Sequence, residues 1–291
     1  MRMDRAALFL LMHVMPFGAL FVEVVASDWI VLIVLYSGRM LGITAGYHRY
    51  FAHRTYKLGR VMQFLMALLG TMACQKGVLW WAAHHRHHHC HSDRREDVHS
   101  PRHGFWWSHV GWIVVETHDE TRWKRVRDFA RYPELHFLNT HWWLPPTALG
   151  VVALIAGGWG TLFIGFFLST VLLYHATFLV NSAAHVWGSR RYATKDASRN
   201  NVLIALLTLG EGWHNNHHHL SGSARQGFFW WELDLCYYWI CVLAAMGLAH
   251  DVRKPSIAAL IRNRLDFECA GGAARDDAFG RAAGAAPLDA K

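Results

Sequence analysis

The stretch Trp29-Ile-Val-Leu-Ile-Val-Leu-Tyr-Ser-Gly-Arg-Met-Leu-Gly-Ile-Thr-Ala-Gly-Tyr-His48-Arg-Tyr-Phe-Ala-His53 decides how this chain reads. Its first part, roughly 29–47, is long and apolar enough to cross a bilayer, which takes about 20 such residues. It then runs without a break into two histidines. Those two are five apart, a spacing that rotates them away from each other on an ideal α-helix. They can face one site only if the helix ends or distorts between them.

The pattern repeats along the chain. His85, His88 and His89 in His85-Arg-His-His-His89 stand at i, i+3, i+4, one face of a helix. His214, His217 and His218 repeat that geometry, and Asn181 and His185 are four apart at the end of another apolar stretch. A structural zinc site takes four ligands, usually with thiolates. Nine imidazoles with almost no cysteine nearby are enough for two metals, and imidazole suits iron, copper, nickel and zinc. His84, His87, His91 and His219 lie off the pattern and are expected behind the ligands or at the surface. His13, His136, His141, His175 and His250 are isolated and read as ordinary hydrogen-bonded histidines.

Composition bounds the rest. The chain has 291 residues, 53% hydrophobic, with 15 tryptophans and a formal charge of +8. Five scattered cysteines form no CxxC and leave one over, so a disulfide framework is not expected. The positive residues lie in loops between apolar segments, which fits lipid headgroups and membrane topology rather than nucleic acid.

Four spans are expected, at roughly 6–25, 29–47, 143–156 and 162–184, the first an uncleaved anchor. The turn between the first two contains Glu23 and Asp28 but no Lys or Arg, and Gly157-Gly-Trp-Gly160 between the last two is uncharged. Arg54, Lys57, Arg60, Arg86 and the run Arg122 to Arg131 fall on the other side. The positive-inside rule then puts both termini and all histidine clusters in the cytoplasm. Residues 61–73 are shorter and flanked by Lys57, Arg60 and Lys76, and read as an interfacial helix. Arg39 is a charge inside a span with no assigned role. Trp80, Trp106, Trp142 and Trp230 read as an interfacial belt. The chain divides into a membrane domain, 1–269, and an Ala/Gly-rich tail, 270–291, expected to be disordered.

His48/His53, His85/His88/His89, Asn181/His185 and His214/His217/His218, in this order, resemble the histidine boxes of the membrane fatty-acid desaturases, most of all the stearoyl-CoA delta-9 type. Asn181-Ser-Ala-Ala-His185, Gly210-Glu-Gly-Trp-His-Asn215 and Ser108-His-Val-Gly-Trp112 match as well, and the resemblance covers roughly residues 10–250. It implies an all-α integral membrane protein: a four-helix transmembrane stem and a cytosolic helical cap holding a di-iron site. It also implies nine histidine ligands, with Asn181 reaching one iron through water. Gln75, Trp81 and Thr177 match the positions where the family holds the bent acyl chain. Animal members carry an arginine for the CoA head where this chain has Ala83; Lys76 and loop arginines could compensate.

The resemblance implies oxygen-dependent introduction of a cis double bond into a saturated acyl chain, delta-9 by family default, with two iron ions as cofactor and O2 as co-substrate. The substrate is expected as a CoA thioester, with acyl carrier protein and intact lipid as alternatives. Electrons are expected from a separate ferredoxin, rubredoxin or cytochrome b5, and the location from a bacterial inner membrane. Asp93, Asp97, Glu116, Glu211 and Asp234 are candidates to orient the imidazoles. Three other readings remain open: a hydroxylase or alkane oxygenase on the same scaffold, a soluble carboxylate di-iron protein through Glu96-x-x-His99 and Glu211-x-x-His214, and a histidine-rich metal transporter or buffer.

Overall fold

The computed structural model describes residues 3–115 and 118–265. Glu116 and the tail 270–291 lie outside the described residues. Among the described residues the regular structure is helical apart from one pair of two-residue strands, Lys57–Leu58 antiparallel to Ala249–His250, and isolated bridges.

Two helical runs are long and apolar enough to cross a membrane, Ala26–Ala52 and Leu144–His185. The second is not one rod. Pro145 and Pro146 stand in its first turn, where their missing N–H groups cost nothing. Gly158 takes φ +74, a left-handed conformation that a side chain resists. The chain doubles back there, so Gly150 comes to face the Phe166 ring, with 3.4 Å left for an added Cβ. The run is thus a hairpin, with limbs close to the expected 143–156 and 162–184. Before them, Met3–Val14 continues as a 3-10 turn, Met15–Phe21.

The outward faces of these helices are apolar. Leu20, Phe21 and Ile155 are each more than three-quarters exposed, and Phe17, Ile30, Ile33 and Val34 exceed 60%. A contiguous surface of that kind is unstable in water and calls for lipid. Trp106 and Trp230 are exposed as expected. Trp80 is not part of any belt: it is buried against Trp112, and its Nε1 donates to the His118 carbonyl at 2.8 Å.

The core lies where 42–52 meets Arg60–Thr71, Val78–His91 and Leu235–Ala245, with Met40, Tyr47, Phe51, Leu79 and Ile240 fully buried. Gly42 and Gly70 let two helix backbones touch: a Cβ on Gly42 would stand 2.6 Å from the Gly70 nitrogen. Between Thr71 and Val78 the chain turns through Cys74 and Lys76, both with left-handed φ, and reverses into the second histidine helix.

Two buried polar residues tie Ala26–Ala52 to the hairpin. Asp28 accepts from the Val25 N–H at 2.9 Å and from the Thr161 hydroxyl at 2.5 Å. Arg39 is 1% exposed, donates to Ser169 Oγ at 2.5 Å, Thr170 Oγ1 at 2.6 Å and the Leu35 carbonyl at 3.0 Å, and lies over the Phe166 ring. Arg39 therefore cross-links helices and does not reach for the interface. Arg39→Met is expected to lower stability by about 1–3 kcal/mol, the usual cost of losing charge-assisted hydrogen bonds. It should read as a lower unfolding midpoint of the purified protein in detergent; an unchanged midpoint contradicts this role.

Candidate metal centre

The first histidine pair converges because the helix changes type. Residues Gly42–Ala52 form a π-helix, with the His53 N–H donating to the His48 carbonyl at 3.1 Å. The i→i+5 repeat brings residues five apart over one another, and the two rings lie 4.8 Å apart. His85, His88 and His89 come from Val78–His91, and His214, His217 and His218 from the short helix His214–His219. His185 ends the hairpin's second limb in a 3-10 turn.

These nine imidazoles form two groups. His48, His53, His85, His89 and His217 make one; His88, His185, His214 and His218 make the other. Within each, the candidate ligand nitrogens lie within 4.8 Å of one another. The Nε2 atoms of His48 and His217 are 3.0 Å apart, those of His53 and His85 2.9 Å, and those of His185 and His214 3.0 Å.

The far nitrogens explain the orientation. His88 Nδ1 donates to Asp97 Oδ2 at 3.0 Å, His185 Nδ1 to Asp93 Oδ2 at 3.1 Å, His218 Nδ1 to Asp196 Oδ2 at 2.8 Å, and His48 Nδ1 to Glu211. With the proton fixed at Nδ1, each ring turns an Nε2 lone pair inward. Converging lone pairs repel, and a cation between them removes the repulsion. The residues therefore fit a pair of metal ions. Burial, followed by the surrounding imidazoles, pushes His53, His85, His89, His214 and His217 well below the ordinary 6.5, so they stay neutral and able to ligate.

The carboxylates are anchored in turn. Glu211 is held by the Arg49 guanidinium at 3.0 Å, and Arg49 also pairs with Asp234 at 2.9 Å. Despite burial, which raises it, the Glu211 carboxyl is drawn down to about 2 by His48 and Arg49. Four of the five expected orienting carboxylates thus stand behind the site, Asp234 one step removed through Arg49. Asp196 was not legible in the sequence: it sits in a loop with no spacing relation to His218. His99, named in the sequence only as part of Glu96-x-x-His99, forms a buried cluster with His88 and Asp97.

The remaining histidines stay outside. His84, His87, His91 and His219 each face a backbone carbonyl, at 2.8–2.9 Å. Among the isolated ones, His13 Nε2 meets His175 Nε2 at 3.0 Å, and His175 continues to His109 and Ser182. His136 stacks on Trp123, and His141 bonds the Phe137 carbonyl. Asn181 ends the helix Ser169–Asn181, half-buried, four residues before His185. Gln75, Trp81 and Thr177 form one unit: Gln75 Nε2 donates to Thr177 Oγ1 at 2.7 Å, and Trp81 Nε1 to Gln75 Oε1 at 3.4 Å. The Trp81 indole stacks on the His85 ring, joining this unit to the five-histidine group. Lys76 pairs with Asp119 and lies over Trp80.

Fold and site together define a helical protein with apolar outward faces and two clusters of imidazoles able to hold metal. The chain belongs to the fatty acid desaturase family, whose model matches residues 27–241. It is 39% identical to an sn-1 stearoyl-lipid 9-desaturase of Anabaena variabilis, over 84% of this chain and 91% of that protein. A Synechocystis sn-1 stearoyl-lipid 9-desaturase is also 39% identical, over 76% of this chain and 70% of that one. An icosanoyl-CoA 5-desaturase of Limnanthes douglasii is 36% identical over 88% and 73%. The protein is an oxidoreductase of this family, which sets aside the transporter reading. The carboxylate di-iron reading fails on geometry, since Glu211 faces His48 Nδ1 and Arg49, and Glu96 is exposed to solvent.

Asp93→Asn and Asp196→Asn are each expected to weaken metal affinity about 10–100-fold, measured by competition with a chelator; unchanged affinity contradicts their orienting role. A pH dependence follows from His88. Burial lowers its pKa, but Asp97 and Asp93 outweigh that and raise it above 6.5. Metal must displace that proton, so affinity should rise with pH through a window on the alkaline side of 6.5. Calorimetry in buffers of different ionisation enthalpy should show proton release on loading. Loading without proton release contradicts it.

Proposed function

We propose that the protein introduces a cis double bond into a saturated fatty-acyl chain, with O2 as co-substrate and two iron ions held by His48, His53, His85, His89 and His217, and by His88, His185, His214 and His218 with Asn181 through water. The observation that carries this reading is the convergence of nine buried and half-buried imidazoles in two groups. A reduced iron pair supplies, with oxygen, the oxidising power to remove two hydrogens from adjacent unactivated methylenes, which no side-chain acid or base can do. Asp93, Asp97, Asp196 and Glu211 hold the imidazoles in one tautomer and one orientation. The Gln75–Thr177 hydrogen bond and the Trp81 indole fix the acyl chain beside His85, converting a floppy substrate into one bent at a set position.

The membrane arrangement belongs to the same proposal. Ala6–Phe21, Ala26–Ala52 and the two limbs of Leu144–His185, which reverses at Gly158, supply a four-helix stem, and 78–140 and 186–265 form a cap. The arginines and lysines on the histidine side put the cap and both termini in the cytoplasm, of a bacterial inner membrane. Arg60–Thr71 is the interfacial helix. The acyl chain is lipid-linked in this reading. Ala83 replaces the CoA-binding arginine of animal members, Lys76 is engaged by Asp119, and relatives at 39% identity are named for stearoyl-lipid. For the electron donor, a cavity of about 450 Å3 presents Arg102, Arg190 and Lys195 around Asp93 and Asp196. Those carboxylates bond His185 and His218 directly, so an acidic ferredoxin, rubredoxin or cytochrome b5 docked there stands one residue from the ligands.

The test is lipid analysis, by gas chromatography and mass spectrometry, of a desaturase-deficient host with a ferredoxin system, expressing this chain beside His214→Ala. A new cis-monoene, absent in the variant, on intact glycerolipid and at delta-9, is expected. A hydroxy acid moves the protein to the sister hydroxylases, and equal product in the His214→Ala strain overturns the metal assignment. Gln75→Leu should retain iron while spreading the double bond over neighbouring positions; a single unchanged isomer contradicts the positioning role.

A further inference from the structure

A second cavity, of about 800 Å3, opens beside the Lys57–Leu58 strand at the start of Arg60–Thr71, apart from the Gln75–Thr177 unit. Its lining is cationic. Arg54, Lys57, Arg60, Arg131 and Arg253 face it, against Asp128 and Asp251. The carboxylates nearby are already engaged. Asp128 takes two hydrogen bonds from Arg86, each 2.9 Å, and pairs with Arg54 at 3.4 Å. Asp251 pairs with Lys57 at 2.6 Å, and Glu134 with Arg60 at 2.8 Å. Arg131 and Arg253 make no ion pair among the described residues. Arg131 is instead laid over the Tyr132 ring, 5.0 Å from its centre, with Nη2 donating to the Tyr132 hydroxyl at 3.0 Å.

The wall adds a donor with nothing to donate to. Gln63 is 3% exposed and lines this cavity. Its Oε1 accepts from the Tyr50 hydroxyl at 2.9 Å, but its Nε2 has no acceptor. A buried amide N–H without a partner is costly. Together with two unpaired guanidiniums, it asks for an anion with several acceptor oxygens. The cavity is also wide and partly aromatic, with Tyr56, Phe129 and Tyr132 in the lining. The helix that starts at its rim turns Val61 and Leu65 outward, 73% and 45% exposed.

We propose that this cavity binds a phosphate group, presented by the headgroup of an anionic phospholipid at the membrane surface, with Arg131, Arg253 and Gln63 as its donors. Anionic phosphate is the chemistry that planar guanidinium donors fit best, and the apolar rim holds the glycerol and the start of the acyl chains. The site is distinct from the acyl pocket, yet His53 of the five-histidine group lines it, so its occupant lies against a metal-ligating segment.

The test uses the iron-loaded, delipidated protein in neutral detergent. Short-chain phosphatidylglycerol, the matching phosphatidylcholine and inorganic phosphate are titrated in turn, and binding is followed by calorimetry and by the unfolding midpoint. Saturable binding of phosphatidylglycerol, with phosphatidylcholine inert and phosphate much weaker, is expected. Arg131→Gln and Arg253→Gln, both at exposed positions that leave the core untouched, should each weaken it about tenfold or more, while Arg95→Gln, exposed and outside the cavity lining, should not. Phosphate binding as tightly as the lipid keeps the anion site but overturns the lipid as its source. Equal binding of the two lipids, or affinity indifferent to both arginine variants, overturns the site itself.

Discussion

The structure depends on one electrostatic constraint: nine imidazoles converge in two groups, four of them held at Nδ1 by carboxylates so that Nε2 faces the others. Without a cation the arrangement costs free energy, since each lone pair has lost water and gained a like neighbour. A cation in each group would turn that repulsion into a contact shared by several helices. Each element that brings a histidine also brings its restraint. The π-helix delivers His48 beside Glu211, the second histidine helix delivers His88 to Asp97, and the end of the hairpin delivers His185 to Asp93. Arg49, fully buried, binds Glu211 and Asp234 together, so the segments that carry these carboxylates are organised around the same point as the histidine groups.

The long apolar helices are fixed against one another by polar cross-links. Arg39 and Asp28 are costly to bury, but each is satisfied by hydroxyls and carbonyls from the neighbouring hairpin. They fix the height and rotation of one helix against another where apolar packing alone would allow sliding. Trp81 joins the long apolar helix to the histidine groups. It packs on Tyr47, stacks on His85, and donates to Gln75, so a displacement of the Gln75–Thr177 unit is felt at the five-histidine group.

Much of this was legible in the sequence, and the exceptions have physical reasons. The i, i+3, i+4 histidines state their own geometry, because helix periodicity is a local property. His48 and His53 were read correctly as a pair that needs a distortion, but the kind of distortion was not readable, since no local signal marks a π-helix. Gly158 was visible as part of a glycine-rich turn. The contacts of Asp196 with His218 and of His99 with His88 were not, because they are set by tertiary folding of loops and not by spacing. Trp80 was misread for a similar reason: an indole between cationic and apolar residues looks interfacial until Trp112 is found packed on it. The cationic cavity beside His53 draws residues from positions 50 to 253, and no window of the sequence contains it.

The central claim is two metal ions in an all-imidazole environment. Iron stoichiometry combined with iron K-edge X-ray absorption on the purified, loaded protein tests it most directly. The account predicts about two irons per chain, as the two histidine groups require, with scattering dominated by histidine rings and no bidentate carboxylate. One iron per chain, or a first shell rich in carboxylate oxygen, contradicts it.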